Sequence, residues 1–76
     1  MITENDVRDA ATRFLRDVDF WVRPSTGGFS KVCGYEVKIV DDIPGSAHTM
    51  FFHETNTPKT LVSRMIEFSE NALNPS

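Results

Sequence analysis

Along residues 29–40, FSKVCGYEVKIV, apolar and polar side chains alternate with a period of two, and this run lies midway between two stretches of helical period. Side chains of one parity line one face of a strand. Tyr35, Val37 and Ile39, with Phe29, Lys31 and Cys33, fall on one face; Val32, Gly34, Glu36, Lys38 and Val40 fall on the other. Glu36 and Lys38 mark the second face as the wetter one, the pattern of an antiparallel sheet covered on one side. Gly34 is a candidate bulge that would reverse the parity of residues 29–33 relative to the rest.

The flanking segments repeat at 3.6. Thr3 followed by Asp6 forms a capping-box pattern, and Glu4, Asp6 and Asp9 place negative charge where a helix N-terminus favours it. Val7, Ala10, Ala11, Phe14, Leu15 and Val18 then make one apolar stripe, predicting a helix that ends near Val18. Its other face carries Glu4 with Arg8 and Asp9 with Arg13, spaced for i,i+4 ion pairs. Near the C-terminus, Asn56 and Thr57 before Pro58 give a cap with proline at the first helical position. The inner stripe of that second helix is Leu61, Val62, Met65, Ile66, Ser69, Ala72 and Leu73, with Phe68 at its margin and Asn74-Pro75 as its stop.

Residues 20–23, aromatic and β-branched, predict a first strand stopped by Pro24, with Pro24-Ser25-Thr26-Gly27-Gly28 as the turn into the central strand. Asp41-Asp42-Ile43-Pro44-Gly45-Ser46 closes that strand, and residues 47–55 return as the third. The expected fold is therefore α+β: one domain over residues 1–76, in the order α-β-β-β-α, with a three-stranded antiparallel sheet and both helices on one face, since each helix has a single apolar stripe to bury. Val7, Phe14, Leu15, Val37, Ile39, Leu61, Met65 and Ile66 form the expected core.

A chain of 76 residues supports a core worth only about 3 to 5 kcal/mol. Its one cysteine, Cys33, excludes an internal disulfide framework and a cysteine-based zinc finger, which fits a reduced, cytoplasmic setting; inside a strand it reads as a small buried hydrophobe. The formal charge of −3 argues against a non-specific nucleic-acid binder and favours docking on a basic surface. No apolar run reaches the length of a membrane span, and the acidic first residues predict no signal peptide.

Candidate chemistry is sparse. His48 and His53 are five apart, on opposite faces of a strand, which separates them as metal ligands or as an acid-base pair. Asp41 and Asp42 read as a solvated turn rather than a cation site. The Gly27-Gly28 loop lacks the spacing and lysine of a phosphate loop, and a strand follows it. No activated nucleophile pattern surrounds Cys33 or the serines. The expectation is thus a non-enzymatic protein with no cofactor and no metal. Residue accounting supplies a surface instead: with both helices on one sheet face, Phe20 opposed to Trp21 and Phe51 opposed to Phe52 leave aromatics on the other. Trp21 and Phe51 are the expected anchors, Arg23, Glu36 and Lys38 the polar rim, and Asp41 and Asp42 the charges that steer toward a basic protein partner. A homodimer closed through the same face is the alternative.

In element order the chain is similar to double-stranded RNA binding domains and to the mRNA interferase toxins that share their fold. The first family places a lysine cluster at the start of its last helix, where this chain has Thr57-Pro58-Lys59-Thr60; the second carries a Gly-Ser-His-type element, which Gly45-Ser46-Ala47-His48 resembles. That resemblance implies RNA binding or cleavage. In size, acidity and lack of catalytic motifs the chain resembles small phage-encoded inhibitors of the anti-CRISPR and anti-restriction type, which implies a protein that docks on and blocks a host protein.

Overall fold

The computed structural model describes residues 1–40 and 48–73. Helix α1 spans Glu4–Phe14, strand β1 Asp19–Ser25, β2 Gly34–Val40, β3 His48–His53 and helix α2 Pro58–Leu73, so the α-β-β-β-α order holds. The strands form one antiparallel sheet in the order β1-β2-β3, which leaves β1 and β3 as its edges.

The capping box at the head of α1 is complete: the Asp6 amide donates to Thr3 Oγ1 (3.2 Å) and the Thr3 amide to Asp6 Oδ2 (2.8 Å). The helix is shorter than its apolar stripe. It ends at Phe14 with Leu15 as C-cap, because residues 15–18 turn toward the sheet while Leu15 stays buried. At the head of α2, Thr57 Oγ1 accepts from the Thr60 amide (3.1 Å) and Pro58 takes the first helical position, where its missing N–H costs nothing.

Cross-strand pairing is one to one from Gly34 opposite His53 to Ile39 opposite His48, so Gly34 begins β2 and makes no bulge. Residues 29–33, expected to be strand, instead belong to the β1–β2 loop, and Cys33 is half-buried outside the strand with Sγ donating to the Thr26 carbonyl (3.4 Å). Strand β1 continues past its expected stop to Ser25. A proline is tolerated there because β1 is an edge strand.

Both helices cover one face. Val22 of β1, Val37 and Ile39 of β2, and Phe52 of β3 share one side of the sheet and pack with Ile2, Val7, Ala10, Ala11 and Leu15 from the α1 side and Leu61, Met65 and Phe68 from α2. Of the expected core, Val7, Leu15, Val37, Ile39, Leu61 and Met65 are buried, whereas Phe14 and Ile66 are half-buried. Phe68 is a core residue rather than marginal: α2 is rotated so that its buried line runs through Leu61, Met65, Phe68 and Ser69. Ser69 satisfies its hydroxyl on the Ile66 carbonyl at 2.8 Å. Residues 41–47, including Asp41, Asp42 and the Pro44-Gly45 turn, lie outside the described residues, as do Asn74 and Pro75.

Candidate functional site: the outer face of the sheet

The face turned away from the helices is built from the alternate residues of each strand. Three rows cross it: Trp21, Lys38 and Thr49; Arg23, Glu36 and Phe51; Ser25, Gly34 and His53. Trp21, Arg23, Glu36, Lys38 and Phe51, singled out from the sequence as partner-binding, therefore do share one surface. Asp41 and Asp42 lie outside the described residues.

The middle of this face is polar and internally paired. Arg23 donates from Nε to Glu36 Oε1 at 2.9 Å and approaches the same oxygen from Nη2 at 2.8 Å, a charge-assisted cross-strand contact. Its guanidinium also sits 4.5 Å from the centre of the Trp21 ring, and Lys38 Nζ is 5.7 Å from it. The indole is thus braced by two cations and is half-buried, not the bare anchor expected.

At the other end the surface is aromatic. The Phe51 ring lies over two glycines: a Cβ built on Gly27 would meet its ring at 2.5 Å, and one on Gly34 would meet it at 2.6 Å. Gly27 also has φ +59°, a left-handed backbone that other residues adopt only at a cost. Absence of side chains at both positions is what lets the 26–33 loop fold down beside Phe51, which is half-buried as a result.

That loop is held by its own hydrogen bonds. The Gly27 amide donates to Ser25 Oγ (3.1 Å), the Phe29 amide to the Thr26 carbonyl (2.8 Å) and the Cys33 amide to the Ser25 carbonyl (3.2 Å). It presents Phe29, 61% exposed, and Val32, 58% exposed. Phe29 stands edge-on to His53 (centroids 6.1 Å), and His53 edge-on to Phe51 (6.3 Å), so the three rings form one chain from loop to sheet. The Thr55 amide donates to His53 Nδ1 at 3.2 Å, and Thr55 Oγ1 lies 2.8 Å from the same nitrogen.

Sequence reasoning missed Phe29 and Val32 by assigning them to a strand. The available signal was the bracketing of residues 29–33 by Gly27-Gly28 and Gly34, which interrupts a strand on both sides. The two histidines do fall on opposite faces: His48 has the parity of Met50 and Phe52 on the helix side, and His53 is on the outer face. Among the described residues, no group of three or more His, Cys, Asp or Glu is placed to hold a metal ion, and no helix is long and apolar enough to cross a membrane. An open groove between the helices, lined by Asp6, Asp9, Arg13, Pro58, Leu61 and Val62, is shallow and places no nucleophile beside a base.

Comparison with protein-family models, with curated proteins and with solved structures finds no match to this chain.

Proposed function

We propose that this chain is a non-enzymatic protein-binding module that docks through the outer sheet face and the adjoining 26–33 loop. The observation that carries the reading is Phe29, a large aromatic 61% exposed on a loop fixed by backbone hydrogen bonds and continuous with His53 and Phe51. Solvating such a ring is unfavourable, and a preformed loop loses little entropy when it inserts the ring into a pocket. The braced Trp21 and the Arg23–Glu36 pair form the polar flank of the patch.

The net charge of −3 supports a partner with a basic surface, steered by long-range attraction. Size, acidity and this presenting surface are in keeping with inhibitors of the anti-CRISPR or anti-restriction type, proteins that act by covering a site on a larger partner. Aromatics beside Arg23 and Lys38 on an open sheet also support a second reading, stacking of single-stranded RNA, against which the acidic balance counts.

Phe29→Glu tests the proposal, with Glu67→Lys on the exposed side of α2 as control. Captures from lysate of the source cell or its host are compared by mass spectrometry, and the retained partner is then purified and titrated. The expected result is one protein bound by the parent and by Glu67→Lys and lost with Phe29→Glu. Equal binding by all three overturns the assignment of the face, and a retained fraction that vanishes with ribonuclease favours RNA.

A further inference from the structure

The two sheet edges are treated differently, and the difference points to a self-association site. Along an edge strand, residues alternate between turning both N–H and C=O toward the neighbouring strand and turning both outward. On β1 the outward set includes Val22, whose carbonyl accepts from Arg8 Nη2 of α1 at 3.1 Å. Pro24, two residues on, shares that orientation and has no N–H to offer, so the outward row of β1 is broken. On β3 the outward set includes Phe51, whose carbonyl accepts from Arg64 Nη2 of α2 at 3.3 Å, and His53, whose carbonyl accepts from the Asn56 amide (3.0 Å) and Nδ2 (2.7 Å). Thr49, with both backbone groups outward, and the Phe51 N–H have no partner among the described residues.

No proline, glycine, acid, lysine or arginine occurs in β3, His48–His53. An edge of that composition pairs readily, and a strand without carboxylate, lysine or arginine side chains set against its own copy brings none of those charges face to face. β1, by contrast, carries Pro24, Asp19 and Arg23. We propose that the β3 edge is a latent strand-pairing site for a second copy of this chain, held closed by the Arg64 side chain across the Phe51 carbonyl. Arg64 is suited to this role: its guanidinium lies 5.1 Å from the centre of the Phe52 ring, which fixes the group over the edge. Opening it would join two sheets through β3 and place two outer faces side by side.

The test measures mass by sedimentation or light scattering at matched concentrations, with circular dichroism as the check on folding. Arg64→Met keeps an apolar stem on Phe52 and removes the donor. The expected result is a parent at 8.6 kDa and Arg64→Met at twice that mass. Arg8→Met should stay at the parent mass because Pro24 still blocks β1. Adding Thr49→Pro to Arg64→Met, which deletes an outward N–H without touching the inner ladder, should restore the monomer. Where either variant fails to fold, Arg64→Leu, which also lacks a donor, and Thr49→Lys, which sets a like charge on the edge of each copy, replace them. An Arg64 variant that stays monomeric, a dimer that Thr49 substitution leaves intact, or a parent already dimeric through this edge overturns the proposal.

Discussion

At the scale of single residues, the two glycines beneath Phe51 and the one beside them make a graded series. A Cβ on Gly34 would strike both the Phe52 carbonyl, which is backbone, and the Phe51 ring, so Gly34→Ala forces the β2–β3 pair apart. Overpacking of that kind costs about 1–3 kcal/mol. Gly27→Ala combines a left-handed backbone, roughly 1–2 kcal/mol, with a clash against a side chain that can swing away. Gly28 has φ +94° and open space around it, leaving only the backbone term. Urea midpoints should therefore fall in the order Gly28→Ala, Gly27→Ala, Gly34→Ala, the last lowest. Gly27→Ala should also displace Phe51 and so change the Phe29–His53–Phe51 chain, read as shifted His53 ring resonances. Trp21 offers a second residue-level test. Since Arg23 lies over its ring, Arg23→Ala should raise quenching of Trp21 emission by neutral acrylamide while leaving the far-ultraviolet spectrum unchanged. Equal quenching in the two proteins would mean that the stack does not cover the indole in solution.

Among the elements, α1 depends most on local signals. It is 11 residues long, short of what sustains an isolated helix, so its capping box and its buried Val7, Ala10 and Ala11 both contribute. Thr3→Ala removes the acceptor for the Asp6 amide and should cost about 1 kcal/mol. Thr57→Ala should cost a similar ~1 kcal/mol at the head of α2. Both are measurable as shifts in the urea midpoint at constant slope, and a changed slope would instead report a change in how much surface unfolding exposes. The exposed Glu4–Arg8 pair, 3.6 Å apart, should contribute little, and Glu4→Gln is expected to fall within the error of the same measurement.

For the molecule as a whole, one helix-covered sheet face holds the core. Phe52 is the largest fully buried side chain; it lies on β3, opposite Tyr35 and on the face that the helices cover. Phe52→Ala should remove about 3–5 kcal/mol, comparable to the entire stability of a chain this size, and the variant should be largely unfolded at 25 °C by circular dichroism. Phe51→Ala alters the neighbouring residue on the opposite face and should leave the chain folded. A cooperative melt for Phe51→Ala and none for Phe52→Ala would confirm which parity the core uses, whereas the reverse would place the helices on the other side of the sheet.

The element order, both helix starts and the covered face of the central strand were legible in the sequence because they rest on local physics. Caps act within one turn, and Tyr35, Val37 and Ile39 sort by a period that needs no knowledge of distant residues. Single helical stripes also required both helices to share one face, which Val22, Val37, Ile39 and Phe52 confirm. What the alternation concealed was where pairing begins: residues 29–33 have the composition of a strand, but the Phe51 ring occupies the space around Gly34 and Gly27, so the chain leaves the sheet there and Phe29 and Val32 face solvent. The exposure of Trp21 was likewise beyond a parity count, which assigns a face but not the side chains that Arg23 and Lys38 fold across it. Phe68 entered the core because the orientation of α2 is set by packing against α1 and the sheet, which the width of its own stripe left open. Periodicity is a property of neighbours along the chain; coverage of a ring, an edge or a loop is decided by residues that only folding brings together.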